Sequence, residues 1–240
     1  MTTPTTSRYL STHLTSLREG LGYSRGGYAA KTLATFGPRL PADRGAALLE
    51  IGPGGCELVE ILHREHGYHD ITIVDREPEV IELAAGLGLH AVTSADDLSA
   101  TLRDLARPFD VIAMFHVLEH LPKSSTVAVL TAMREALALG GTVMIEVPNM
   151  GDPFNGVYAR YADFTHEVGF TEESLRYVLE QSGFGSIEFL DPLGATGRLT
   201  RPLQRLARAA LHLGLRLVSL PNGRQMRRRI DPVLAVCAAA

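Results

Sequence analysis

His116, Glu119 and His120 stand within "FHVLEHL" (115–121) at the spacing H-x-x-E-H. On a helix that spacing can place two imidazoles on one metal ion and a carboxylate on the water it polarises, as in the inverted zinc-protease signature. A second set of residues points to different chemistry. In "LLEIGPGGCELVEIL", Glu50, Gly52, Pro53 and Gly54 join a carboxylate to main chain with little side-chain bulk, and Asp75 follows 21 residues after Gly54. Backbone lacking Cβ atoms lets a ligand come close, and an acid about 20 residues further on suits ribose hydroxyls. A third candidate is His166 in "RYADFTHEVGFT", an imidazole matched to proton transfer near neutral pH.

Which set acts as a unit depends on the elements that carry it. From residue 46 short apolar runs alternate with longer helix-like stretches. "ALLEIG" (46–51), "DITIVD" (70–75), "HAVTS" (90–94), "FDVIAMF" (109–115) and "GTVMIEV" (141–147) read as strands. The stretches 55–66, 77–86 and 123–138 read as helices, with Pro78 in a first turn and Gly140–Gly141 as a stop. This alternation predicts an α/β doubly wound, mostly parallel sheet with helices on both faces. Right-handed crossovers bring the loops after the strands to one edge, where ligands bind. The glycine loop, Asp75, the Ala95–Asp96 stretch and the end of "FDVIAMF" all fall there. The same placement argues against a shared zinc ion, because His116 ends a strand while His120 opens the next turn.

Taken in this order, the motifs resemble those of the class I S-adenosylmethionine-dependent methyltransferases. "EIGPGG" is similar to their first motif, "VDREP" to their ribose-binding acid, "FDVIAMFHVLEHL" to their fourth-strand motif and "LALGGTVMIEVPN" to the approach to their fifth strand. The resemblance spans about residues 46–190. It implies a Rossmann-like seven-stranded sheet whose last strand, "DPVLAVCAAA" (231–240), is antiparallel. It also implies S-adenosylmethionine as cofactor, held by Glu50, Gly52, Pro53, Gly54, Asp75, Arg76, Ala95, Asp96, Phe115 and His116. The chain departs from the family pattern at Cys56, where a third glycine is usual, and at His116, where the usual residue is acidic or small.

"PNMGDPFNGVYARYADFTHEVGFT" (148–171) is expected to form an acceptor lid over residues 148–170, ending where Thr171 caps a helix. This stretch resembles a segment of bacterial methyltransferases associated with cell-surface polysaccharide and other glycan biosynthesis. The resemblance implies that His166 faces the acceptor. The expected reaction is O-methylation of a sugar or glycan hydroxyl, with His166 as general base and Glu119 and His120 as second candidates. Tyr158, Arg160, Tyr161 and Asp163 are expected to bind the sugar by stacking and hydrogen bonding. A quinone or natural-product hydroxyl is the competing acceptor, and a non-catalytic S-adenosylmethionine-binding module is the competing class. A divalent ion such as magnesium is compatible with Asp163, His166 or Glu167, but no spacing demands one.

The 240 residues, 45% hydrophobic and 21% charged, suit one domain with additions. These are an N-terminal helical cap (1–45), a core (46–190) and a basic helical insertion (195–229). A net charge of −4 disfavours a general nucleic-acid binder. Two distant cysteines support neither a disulfide framework nor a cysteine zinc site, the N-terminus lacks a signal-peptide core, and no apolar run reaches a membrane span, so a cytoplasmic location is expected. From Pro192 to Ile230 there are nine arginines, no lysine and no acid. Leu199, Leu203, Leu206, Ala210, Leu213 and Leu217 recur there at steps of three and four, an amphipathic stripe. Packing of that stripe on the body is the preferred reading, since amphipathic helices chiefly serve cores. The competing one is peripheral contact of 198–229 with an anionic membrane or a lipid-linked glycan.

Overall fold

A computed structural model describes residues 26–192, 201–219 and 231–240. Helix α1 (Gly27–Phe36) and a 3-10 turn at Gly37–Arg39 precede β1 (Leu48–Ile51). There follow α2 (Glu57–Arg64), β2 (Ile71–Asp75), α3 (Pro78–Gly86), β3 (His90–Thr93), α4 (Leu98–Asp104), β4 (Phe109–Phe115), α5 (Thr126–Glu135) and β5 (Leu137–Pro148). Then come α6 (Gly156–Ala162), α7 (Glu172–Gln181), β6 (Ser186–Phe189), α8 (Arg201–Ser219) and β7 (Val233–Ala239). The seven strands lie in the order β3-β2-β1-β4-β5-β7-β6. Strands β1 to β5 pair in parallel, and β7 runs antiparallel between β5 and β6.

Strand alternation sends successive side chains to opposite faces of the sheet, so each face builds its own core. Leu49, Ile51, Ile112, Met114, Val143 and Ile145 pack with Leu102 of α4, Leu130 and Met133 of α5, and Leu175 and Leu179 of α7. Leu48, Ile73, Val111, Ala113 and Met144 pack on the other side with Phe36 of α1, Val59 of α2 and Val80 of α3. The expected βα units are therefore present, most with ends trimmed by one to three residues, while β4 keeps its expected bounds and β5 extends to Leu137–Pro148.

Local features shape the ends of these elements. Asp97 caps α4 by accepting from the Ser99 and Ala100 amides, and Thr171, the expected cap of α7, forms a capping box with Ser174. Gly140 and Gly141 do not stop a helix. They lie inside β5, where Gly140 takes φ +79° and the β4–β5 register shifts between Phe109 and Val111, so the glycine serves a strand irregularity. Cys56, at the start of α2, takes a left-handed φ of +57°, a region that costs a side chain about 1–2 kcal/mol. A glycine there would escape that cost.

The preferred reading of the basic stripe is overturned. Leu203, Leu206, Leu213 and Leu217 of α8 are 58–70% exposed, so the stripe does not pack on the body. The helix is tied down instead through Arg208, which bonds Asp231 and reaches Asp191 at 3.0 Å. Residues 193–200 and 220–230, and residues 1–25 of the cap expected over 1–45, fall outside the described residues. None of the described helices is long and apolar enough to cross a membrane.

Candidate active site

The carboxyl edge of the sheet gathers the glycine loop, the turn after β4 and the segment after β5. Gly52 (φ +67°) and Gly54 (φ +54°) take left-handed backbone between β1 and α2. A Cβ on Gly52 would stand 2.4 Å from Val117 Cγ2, so the loop lies directly against the turn after β4. Glu50 stands one residue before the end of β1, beside this loop, and is buried. Burial pushes its carboxyl up to about 8, so the ligand-free group is mainly protonated at neutral pH. Asp75 ends β2 half-buried and accepts a hydrogen bond from the Glu77 amide at 2.9 Å. It shapes the start of α3 while its carboxyl stays at the edge. Burial raises its pKa also.

These residues fit the cradle expected for an adenosyl sulfonium, with bare backbone, one acid for a cation and one for a ribose. A cation beside Glu50 would favour the charged carboxylate, so binding should expel a proton. S-adenosylmethionine is therefore expected to bind more tightly as pH rises toward 8, with the affinity levelling above it. Titration calorimetry in two buffers of unequal ionisation enthalpy checks this, and Glu50→Gln should abolish the proton release. An affinity flat over about pH 6–9 would remove Glu50 from the cation site.

The remaining expected cofactor contacts separate. Ala95, Asp96 and Arg76 are exposed at the edge, where a nucleoside could meet them. Phe115 is a correction, for its ring is 6% exposed and packs on Phe36 at 4.9 Å, beneath the sheet. Strand alternation turns it to the core and turns its neighbour His116 outward.

His116 takes a left-handed φ of +54°, and its ring joins two buried glutamates. Nδ1 lies 3.3 Å from Glu119 Oε1 and Nε2 lies 3.0 Å from Glu146 Oε1. Burial alone would favour the neutral ring. The hydrogen bonds and charges of Glu119 and Glu146 outweigh it and hold the pKa up at about 9, so His116 is an imidazolium at neutral pH. Burial tends to raise the Glu146 carboxyl as well, but His116 and Lys31, 3.8 Å away, lower it. Neither Glu146 nor Lys31 was anticipated. The available signal was a lone acid inside the apolar run "VMIEV".

The segment after β5 closes over this turn. The Glu119 carbonyl accepts from the Glu167 and Val168 amides at 2.8 and 3.0 Å. His166 Nδ1 donates to the Ala159 carbonyl at 2.9 Å, which turns Nε2 to within 4.0 Å of Glu119 Oε1. Thr165 Oγ1 donates to Asp163 at 2.6 Å and lies 2.8 Å from His120 Nδ1, so that nitrogen carries the proton. Burial lowers the His120 pKa and keeps the ring neutral. The two imidazoles meet edge to face at 4.7 Å.

Glu119, His120 and His166 thus converge, each with a ligand atom within 4.8 Å of the others, a group able to hold a metal ion. His116 is not part of it, and the turn carrying Glu119 is a 3-10 turn, so the H-x-x-E-H zinc arrangement does not form. Two of the expected sugar contacts are corrected. The Arg160 guanidinium is taken up by the His166 and Glu167 carbonyls, and Asp163 is 2% exposed and bonded to Thr165. Both build the segment. Tyr158 and Tyr161, 61% and 76% exposed, remain at its surface beside Phe154 and Phe164.

Comparison with known proteins bears on this geometry. A family model described as a methyltransferase domain matches residues 23–188. A ubiquinone biosynthesis O-methyltransferase of Xylella fastidiosa is 35% identical over 109 residues, 44% of this chain and 43% of the relative, so the match spans less than half of that protein. A counterpart from Xanthomonas oryzae is 29% identical over the same length. Among solved structures, a SAM-dependent methyltransferase from Archaeoglobus fulgidus superposes with TM-score 0.68 at 19% identity, covering 95% of this chain and all of that one. The plantazolicin methyltransferase, solved with SAH, superposes with TM-score 0.60 at 14% identity over 97% of this chain and 93% of its own. At such identities the likeness is one of fold. The sheet order, the glycine loop and the matched 23–188 stretch together place this chain in the methyltransferase-domain family, as a class I S-adenosylmethionine-dependent methyltransferase.

Proposed function

We propose that the chain O-methylates a hydroxyl of a small aromatic acceptor of the quinone-precursor kind, with His166 as the proton acceptor. The observation that carries this is the pinned imidazole, with Nδ1–H committed to the Ala159 carbonyl and Nε2 directed to the Glu119 side of the cleft. Bound S-adenosylmethionine supplies a methyl carbon on a cationic sulfur. His166 Nε2 takes the hydroxyl proton as the acceptor oxygen forms its bond to that carbon and the C–S pair returns to sulfur. The buried Glu119 carboxylate then stabilises the imidazolium. Holding the oxygen in line can itself replace roughly 7–11 kcal/mol of bimolecular cost.

The acceptor class rests on two supports. The aligned relatives are named for ubiquinone biosynthesis. The segment after β5 exposes Phe154, Tyr158, Tyr161 and Phe164, side chains able to stack on an aromatic ring. The glycan acceptor expected from the sequence finds no such support in the comparisons. An acceptor panel of catechols, hydroquinones and free sugars, read by mass spectrometry of methylated product and S-adenosylhomocysteine, checks the class. A methyl ether on the phenols is expected. Methylation confined to sugars would overturn the acceptor class, and binding without any turnover would favour the non-catalytic module.

A second reading has its own observation. The outer oxygen of Glu119, Oε2, is buried without a hydrogen-bond partner, and His120 and His166 stand beside that carboxylate, so the trio suits a divalent cation that would bind the acceptor oxygen directly. Turnover abolished by a chelator and restored by a divalent salt would select this reading over the free base.

A further inference from the structure

The leucine stripe of α8 is the largest feature that the methyl-transfer site does not use. At about 100° per residue, Leu203, Leu206, Ala210, Leu213 and Leu217 line one side of the helix and Arg208, His212 and Leu215 the opposite one. Arg208 bonds Asp231 and Asp191, and all three residues of that side are partly covered, so this is the side that meets the body. The leucines therefore face away from the body, with Leu203 70%, Leu206 67%, Leu213 59% and Leu217 58% exposed. A helix anchored through Arg208 and displaying its apolar side is the reverse of a core-packing amphipath.

Charge decides what covers the stripe. Helix α8 carries Arg201, Arg205, Arg208 and Arg216 and no acid, within a stretch of 192–230 that holds nine arginines and no acid at all. A second copy docked through this face would bring two such stretches together without an opposing charge, and 19 residues give fewer than the three to four heptads that a coiled coil usually needs. An anionic bilayer meets both demands at once, since apolar side chains enter the headgroup boundary while the net positive charge of the stretch is drawn to the anionic surface.

We propose that α8 is a membrane-surface anchor that seats the protein on anionic lipid through Leu203, Leu206, Leu213 and Leu217. The chain would lie on the bilayer without crossing it. Attachment has two parts, an apolar one that depends on the leucines and an electrostatic one that weakens with salt.

Flotation of the full chain with vesicles tests this, using phosphatidylcholine alone and phosphatidylcholine mixed with phosphatidylglycerol. Binding is expected only on the anionic vesicles, falling as salt is raised. Leu206→Glu/Leu213→Glu should weaken it on the order of tenfold or more while leaving S-adenosylmethionine binding unchanged, because neither side chain is buried in the fold. Failure to float with anionic vesicles at low salt overturns the proposal. So does equal flotation of the double variant, or sedimentation showing a concentration-dependent dimer that this variant dissolves, for then a second copy covers the stripe. The proposal stands apart from the acceptor's identity, which vesicle binding does not read.

Discussion

A Gly52→Val protein is expected to lose S-adenosylmethionine binding by roughly 30- to 4,000-fold. Two costs add. Position 52 sits at φ +67°, where any side chain pays about 1–2 kcal/mol. Its Cβ would overlap Val117 Cγ2 at 2.4 Å, and overpacking of this kind costs about 1–3 kcal/mol. The sum of about 2–5 kcal/mol converts at 1.4 kcal/mol per tenfold, provided that the loop moves out of its ligand-ready shape to relieve the strain. Calorimetry with S-adenosylhomocysteine reads the loss, and thermal melting shows how much of the cost is taken by the fold instead. Gly52→Ala combined with Val117→Ala should recover part of the affinity, because it removes the overlap and leaves the backbone strain. Wild-type affinity in Gly52→Val would show that the ligand does not use this loop.

His166→Ala is expected to lower kcat about 10²–10⁴-fold, the usual worth of a positioned proton acceptor, with donor affinity unchanged. The side chain is 9% exposed and holds the Ala159 carbonyl, so its loss also loosens α6. A purely structural role would raise the acceptor KM with little change in kcat. Added imidazole separates the two, since it can restore proton transfer at the vacated position but cannot rebuild a loop. A variant with full kcat would remove His166 from the chemistry under either the base or the metal reading.

The two substitutions probe parts of the site that differed in how visible they were beforehand. The glycine loop was legible because its cause is local. Gly52 and Gly54 end an apolar run and open an amphipathic helix, and only residues without Cβ hold such backbone cheaply. Asp75 was legible for the same reason, as a carboxylate closing the next run. His166 could be singled out by its chemistry, but its hydrogen bond to the Ala159 carbonyl and its approach to Glu119, 47 positions earlier, appear only once the segment after β5 folds back on the turn after β4.

The misreadings have a common origin. Phe115, Arg160 and Asp163 sit in the right segments, but their side chains turn to the core or to the segment's own backbone, and spacing does not report that direction. The leucine stripe of α8 was read correctly as a stripe and assigned to the wrong side, because periodicity marks which residues share a face and is silent on what that face meets. Gly140 was read as a stop because the register shift it serves belongs to the pairing of β5 with β4.

By itself, then, the sequence determined the βα alternation, the glycine turn after β1 and the helix caps, all properties of neighbours along the chain. Only the tertiary structure decided that His116 is an imidazolium held between Glu119 and Glu146, that Glu119, His120 and His166 converge, and that α8 turns its leucines to solvent. Those depend on burial and on charges brought together from distant positions, and such energies exist only after the chain has closed around them.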